Sequence, residues 1–125
     1  LKGIGTFFYS SDGVLLEPRN FDLARLRSNK YEISLFASEE IVKSDKSSQE
    51  LVEEALSASS KALINGAEEN SHWKAIALKV KGMAHDRLGN HEEALTAFDA
   101  ALEINPKVGV KRKADAIRKR LSVKK

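Results

Sequence analysis

The strongest constraint on how this chain folds is that it nearly repeats itself. Residues 92–102, EEALTAFDAAL, can be laid on residues 53–63, EEALSASSKAL, with seven of eleven positions identical at an offset of 39 residues. Shared helical composition accounts for some of the matches, but the small residues also fall in register, Ala55, Ala58 and Ala62 opposite Ala94, Ala97 and Ala101. Alanine at helical spacing makes a smooth helix face, and such a face lets a neighbouring helix approach to the short end of the usual range of about 8–10 Å. A repeat of this length implies helical hairpins stacked so that each unit buries a face against the next.

The punctuation between the apolar runs fits that reading. Ser38 is a candidate cap for a brief helix, EEIVKS. Ser47 with Glu50 has capping-box spacing and opens QELVEEALSASSKALIN, for which Gly66 is a natural stop. A further helix is expected from Ser71 to Gly89, a companion from Asn90 with Glu93 as its capping glutamate to Pro106, and a last one over GVKRKADAIRKRL, where Val110, Ala114, Ile117 and Leu121 recur at helical spacing. Two prolines and few aromatics agree with helix rather than sheet. The first 35 residues read less clearly. TFFYSSDGVLLEP suits a hairpin around Asp12 and Gly13 or an arm packing Phe7, Phe8 and Tyr9; NFDLARLRSNK carries a short helical stripe of Phe21, Leu23, Ala24 and Leu26; and YEISLF suits helix or strand.

With Pro106 as a terminal proline, the stretch from Ala75 onward resembles the tetratricopeptide repeat, a 34-residue helix-turn-helix unit. Leu78 takes the large apolar place early in the first helix, Gly82 its small place and Gly89 the turn. Ala94, Phe98 and Ala101 take the small, aromatic and small places of the second helix. Lys81 and His85 depart from the leucine and aromatic usual at their positions, and upstream Ser59 stands where an aromatic would be. The resemblance implies an all-α fold, a short α-solenoid of antiparallel hairpins. Its parts would be a less regular N-terminal segment (1–35), a degenerate hairpin (36–70), a tetratricopeptide hairpin (71–108), and a basic capping helix and tail (109–125). It also implies a non-catalytic protein-interaction module whose groove is lined by Ile76, Lys79, Met83 and Asp86, with Lys107 at the unit's end. That strip would suit an acidic, partly apolar segment of a protein or peptide partner. Met83 stands where the family's chaperone-tail clamp needs asparagine, so that specificity is not carried over.

Other chemistry is sparse. There is no cysteine, which excludes disulfides, thiolate metal sites and a cysteine nucleophile and suits a reducing, cytoplasmic setting. No apolar run approaches the roughly 20 residues needed to span a bilayer. The numbering begins at Leu1 rather than Met, as a piece of a longer protein would, so the lack of a signal segment says little. His72, His85 and His91 lack the i, i+4 spacing of a metal pair, and the adjacent acids Glu53 and Glu54, Glu68 and Glu69, Glu92 and Glu93 point about 100° apart on a helix, away from any shared site. No catalytic residue, metal or cofactor is therefore expected. The net charge of +3 is unevenly placed: residues 39–103 hold seven basic and thirteen acidic side chains, residues 104–125 nine and one. Lys111, Arg112, Lys113, Arg118, Lys119 and Arg120 form a cationic patch that serves as a solvated outer face or as a surface for an anionic partner, an acidic protein ahead of nucleic acid, since no aromatic is interleaved for base stacking. Two other roles stand beside groove binding: self-association as a homodimer through uncovered ends, and accessory service in a larger enzyme or nucleic-acid-binding assembly.

Overall fold

The computed structural model describes residues 23–123. The hairpin or arm expected before residue 22, the Phe21 end of the helical stripe, and Lys124 and Lys125 lie outside the described residues. Among the described residues there are helices and no strand. A helical turn at 23–26 leads to α1 (Tyr31–Lys43), α2 (Gln49–Ile64), a 3-10 turn (Ala67–Glu69), α3 (Ser71–Arg87), α4 (His91–Ile104) and α5 (Lys111–Val123). Each helix packs on the next, and α1 also reaches α3, the pattern of stacked hairpins in which first helices lie side by side.

YEISLF, open to helix or strand from its sequence, is the first half of α1. Ser38 does not cap a brief helix there. It sits inside α1, fully buried, and its hydroxyl satisfies itself by donating to the Ser34 carbonyl at 2.7 Å. The start of α2 moves by one residue: Ser48 is the N-cap, accepting from the Leu51 N–H at 3.2 Å, while the Ser47 hydroxyl donates to the Ile41 carbonyl at 2.7 Å and ties the connection back to α1. Asn70 caps α3 through the Trp73 N–H. Asn90, expected as the cap of α4, makes no such bond and instead closes the preceding helix: its N–H donates to His85 O at 2.8 Å and the Gly89 N–H to Asp86 O at 3.1 Å. Those paired bonds are a Schellman end, and they require the positive φ of +84° that Gly89 adopts.

The repeated alanines do what the sequence implied. Ala55, Ala58, Ala62, Ala94, Ala97 and Ala101 are all buried. Phe98 is fully buried against Gly82, where an added Cβ would lie 2.5 Å from the ring's Cδ1 and 3.2 Å from the Ala94 carbonyl. Glycine at 82 is thus the condition for α3 and α4 to close on Phe98. The main core gathers Leu26, Ile41, Val42, Val52, Val80, Met83 and Phe98 with Val110, Ala114 and Ile117 of α5, so the last helix is a cap that buries its apolar row. A smaller cluster joins Leu35, Ala62, Ala67 and Ala77 under Tyr31 and Trp73, and Ile76 packs on both clusters.

Candidate functional site

The first helices of the two hairpins, α1 and α3, lie side by side, and the seam between them is crossed by charged side chains. Lys79 on α3 donates to Glu39 Oε2 on α1 at 2.6 Å, and Lys43, one turn along α1, reaches the same oxygen at 3.1 Å. Lys79 and Glu39 keep only 16% and 20% of their side-chain surface exposed, so this pair is shielded more than an ordinary surface ion pair. Burial alone would raise the Glu39 carboxyl; the hydrogen bonds and charges of Lys79 and Lys43 outweigh it and hold the group below its usual value. About two turns beyond Lys79 on α3, Arg87 spans the same seam, donating to Val42 O at 3.0 Å, Ser44 O at 2.7 Å and Ser47 O at 3.4 Å. These are carbonyls at the C-terminal end of α1, where helix geometry leaves the last turn's acceptors open, and in the connection beyond it, where Ser44 O also accepts from the Ser47 N–H at 3.3 Å.

The residues expected to line the groove are therefore of three kinds. Lys79 is present on the seam but already engaged. Met83 does not line an open strip: it is 7% exposed and packed in the main core, because α1 lies close enough for Ile41 and Val42 to join the same cluster. Ile76, half-buried between the two clusters, and Asp86, whose carboxylate accepts from His91 Nδ1 at 3.2 Å, remain partly open. Lys107 is exposed beyond α4, in the connection to α5, its N–H bound to Asn105 Oδ1. Glu39 and Arg87 were missed from the sequence: the only signal for Glu39 was a charge opposite to that of Lys79, forty residues away, and the backbone carbonyls that Arg87 binds leave no signal at all.

The two departures from the repeat pattern come together on the other face. Lys81 and His85, with half-exposed Leu78, line a depression of about 470 Å³ against Glu92, Glu93, Thr96, Ala97 and Ala100 of α4. Burial lowers the His85 imidazole below its usual value, against the pull of Glu93, and its Nδ1 lies 3.3 Å from the Asn90 side-chain amide nitrogen. A second cavity, about 480 Å³, opens at the other end of the molecule between residues 26–34 and α2, crossed by the Arg27 to Glu54 ion pair at 2.8 Å.

Among the basic residues of α5, Arg118 bridges Asp99 of α4 at 2.7 Å and Asp115 at 2.9 Å, and Lys111 reaches Asp115 at 3.5 Å. Arg112, Lys113, Lys119 and Arg120 are exposed. Among the described residues no cluster of side chains could hold a metal ion, and no helix is long and apolar enough to cross a membrane.

Comparison with known proteins agrees with this geometry over one part of the chain. Residues 75–108 match the family model described as "Tetratricopeptide repeat". No match was found among curated proteins or among solved structures. The matched span contains α3, its Schellman turn and α4, with Gly82, Ala94, Phe98 and Ala101 packed together and Pro106 after the last turn. Over residues 75–108 the chain is thus similar to the tetratricopeptide repeat in sequence and in the packing of its two helices.

Proposed function

We propose that the chain works as a non-catalytic protein-interaction module that receives a partner segment along the seam between α1 and α3. A tetratricopeptide repeat points to protein–protein interaction in general, and what supports this seam in particular is its rigidity. Lys79 and Arg87 fasten the two first helices together, so a partner meets a surface whose ordering has already been done and little further entropy is lost on docking. The seam offers two ammonium groups around one carboxylate, with Ile76 beside them, which suits an acidic, partly apolar segment able to compete with Glu39 for Lys79. The test compares partners captured by the native chain with those captured by Lys43→Glu on the seam and by Lys81→Glu on the opposite face. Loss of the same partners from the seam variant alone is expected; equal capture by all three would remove the groove assignment.

One observation favours a second reading, self-association. Ile33 and Phe36 are 42% and 57% exposed on α1. They stand forty residues before Trp73 and Ile76, whose face on α3 is covered by the upstream hairpin, and Glu40 likewise stands forty residues before the fully buried Val80. A second copy that covers Ile33 and Phe36 would give a sedimentation coefficient that rises with concentration and falls back in Phe36→Ser; a strict monomer throughout would end this reading.

A further inference from the structure

The outward face of α5 has a chemistry that the seam does not use. Its apolar row, Val110, Ala114 and Ile117, is buried in the core, with Leu121 packed against it. The helix therefore has no apolar face left to lay into a bilayer. Its cations divide into two groups. Lys111 and Arg118 lean toward α4 and are held by Asp115 and Asp99. Arg112, Lys113, Lys119 and Arg120 have no ion pair among the described residues, and all four are exposed.

These four form two rows with the same spacing, Arg112 with Lys119 and Lys113 with Arg120, each seven residues apart. Seven residues are close to two helical turns, so each row places two cations about 10.5 Å apart along one side of the helix. Between the rows lies exposed Ala116, too small to hold a neighbouring backbone away. We propose that this face docks an acidic helix of a protein partner, one carrying carboxylates at the matching positions i, i+1, i+7 and i+8. A helix is the occupant that repeats charge at this distance and can lie along Ala116. A nucleic acid strand is less suited, because no aromatic side chain stands on α5 to stack a base.

The surface acts by attraction at a distance first and by register second. Four unpaired cations on a stretch with nine basic and one acidic side chain raise the encounter rate of an acidic segment, and the fixed rows then select among segments of equal charge.

The experiment uses the full chain and labelled synthetic peptides, read by fluorescence anisotropy at about 50 and 150 mM salt. One peptide is a stapled helix with glutamates at i, i+1, i+7 and i+8; another has the same composition in shuffled order; a single-stranded oligonucleotide is the third probe. The registered helix should bind about tenfold tighter than the shuffled one, and the double variant Arg112→Glu, Lys119→Glu should lose about tenfold in affinity, with binding weakening as salt rises. Lys61→Glu, at an exposed cation of α2, and Lys43→Glu on the seam should leave binding of this peptide unchanged, which separates the α5 surface from the groove. Equal binding of the two peptides would reduce the face to diffuse charge and overturn the proposal, as would tighter binding of the oligonucleotide, loss through the seam variant, or no binding at all. Circular dichroism of each variant confirms that the comparison is made between folded chains.

Discussion

The contact on which the repeat depends is one residue pair. Phe98 has no exposed surface, and Gly82 leaves the ring a space that a single methyl group would fill. Phe98→Ala should therefore lower stability by about 3–5 kcal/mol, through lost transfer energy and the cavity left behind. Gly82→Ala should cost about 1–3 kcal/mol for the opposite reason, overpacking, even though alanine is the better helix former. The two effects should not add. With the ring gone, a methyl at position 82 enters empty space, so the double variant should be less destabilised than the sum of the singles, and a thermal or urea double-mutant cycle measures the coupling. This pair was legible in the sequence because both partners lie within one unit and complement each other in volume. Met83 was not. Its helical position marks it for the groove, and only the closeness of α1, which no local pattern reveals, turns it into a core residue. The serines failed in a related way: Ser47 and Ser48 are equally good caps by type, and the choice was made by a carbonyl six residues upstream that claims Ser47.

Between elements, the seam of α1 and α3 is held by polar contacts that carry the proposed function with them. Arg87 satisfies three carbonyls at the end of α1 and in its connection to α2, so Arg87→Ala leaves them to solvent and should cost about 1–3 kcal/mol, with faster amide exchange concentrated in residues 42–48. Lysine in its place keeps the charge but can reach fewer of these acceptors, and should recover only part of the loss. Glu39 gives the seam a pH dependence of definite sign. Its carboxyl is held below the ordinary value of 4.5, so the folded state is favoured by its ionisation; that contribution is fully present above the unfolded value and is lost as pH falls through the lower folded one. The melting temperature of the native chain should therefore drop on acidification below about pH 4.5, and part of that drop should be missing in Glu39→Gln, which starts from a lower stability because Lys79 has lost its counter-charge. An unchanged acid limb in Glu39→Gln would show that the carboxylate is not what couples the helices. The helix on one side of this seam, α3, was legible in the sequence, but of α1 only the second half was, and their fastening was not, since an ion pair forty residues apart is visible only when the hairpins are stacked.

For the molecule as a whole, the question is whether so short a stack behaves as one unit. Repeat arrays gain stability from interfaces between neighbours, and few repeats mean few interfaces. After the second hairpin comes α5, whose Ala114 and Ile117, with Val110 just before it, enter the same cluster as Ile41 and Val52 from the upstream hairpin. A core that runs from the first hairpin to the cap ties them into one cooperative transition. The smaller cluster under Tyr31 and Trp73 is joined to it through Ile76, which touches both. Ile76 is thus where the two cores would come apart. Ile76→Ala should cost about 2 kcal/mol, the low end for such a truncation because the side chain is only half-buried. Its effect on cooperativity is the sharper measurement. Following Trp73 fluorescence for the smaller cluster and far-ultraviolet dichroism for the helices, the native chain should give coincident urea transitions. In Ile76→Ala the fluorescence transition should move to lower urea than the dichroism, with a smaller slope. Coincident transitions in both proteins would show that the larger core alone carries the fold, and that the seam proposed to receive a partner is anchored by its charged fastenings rather than by Ile76.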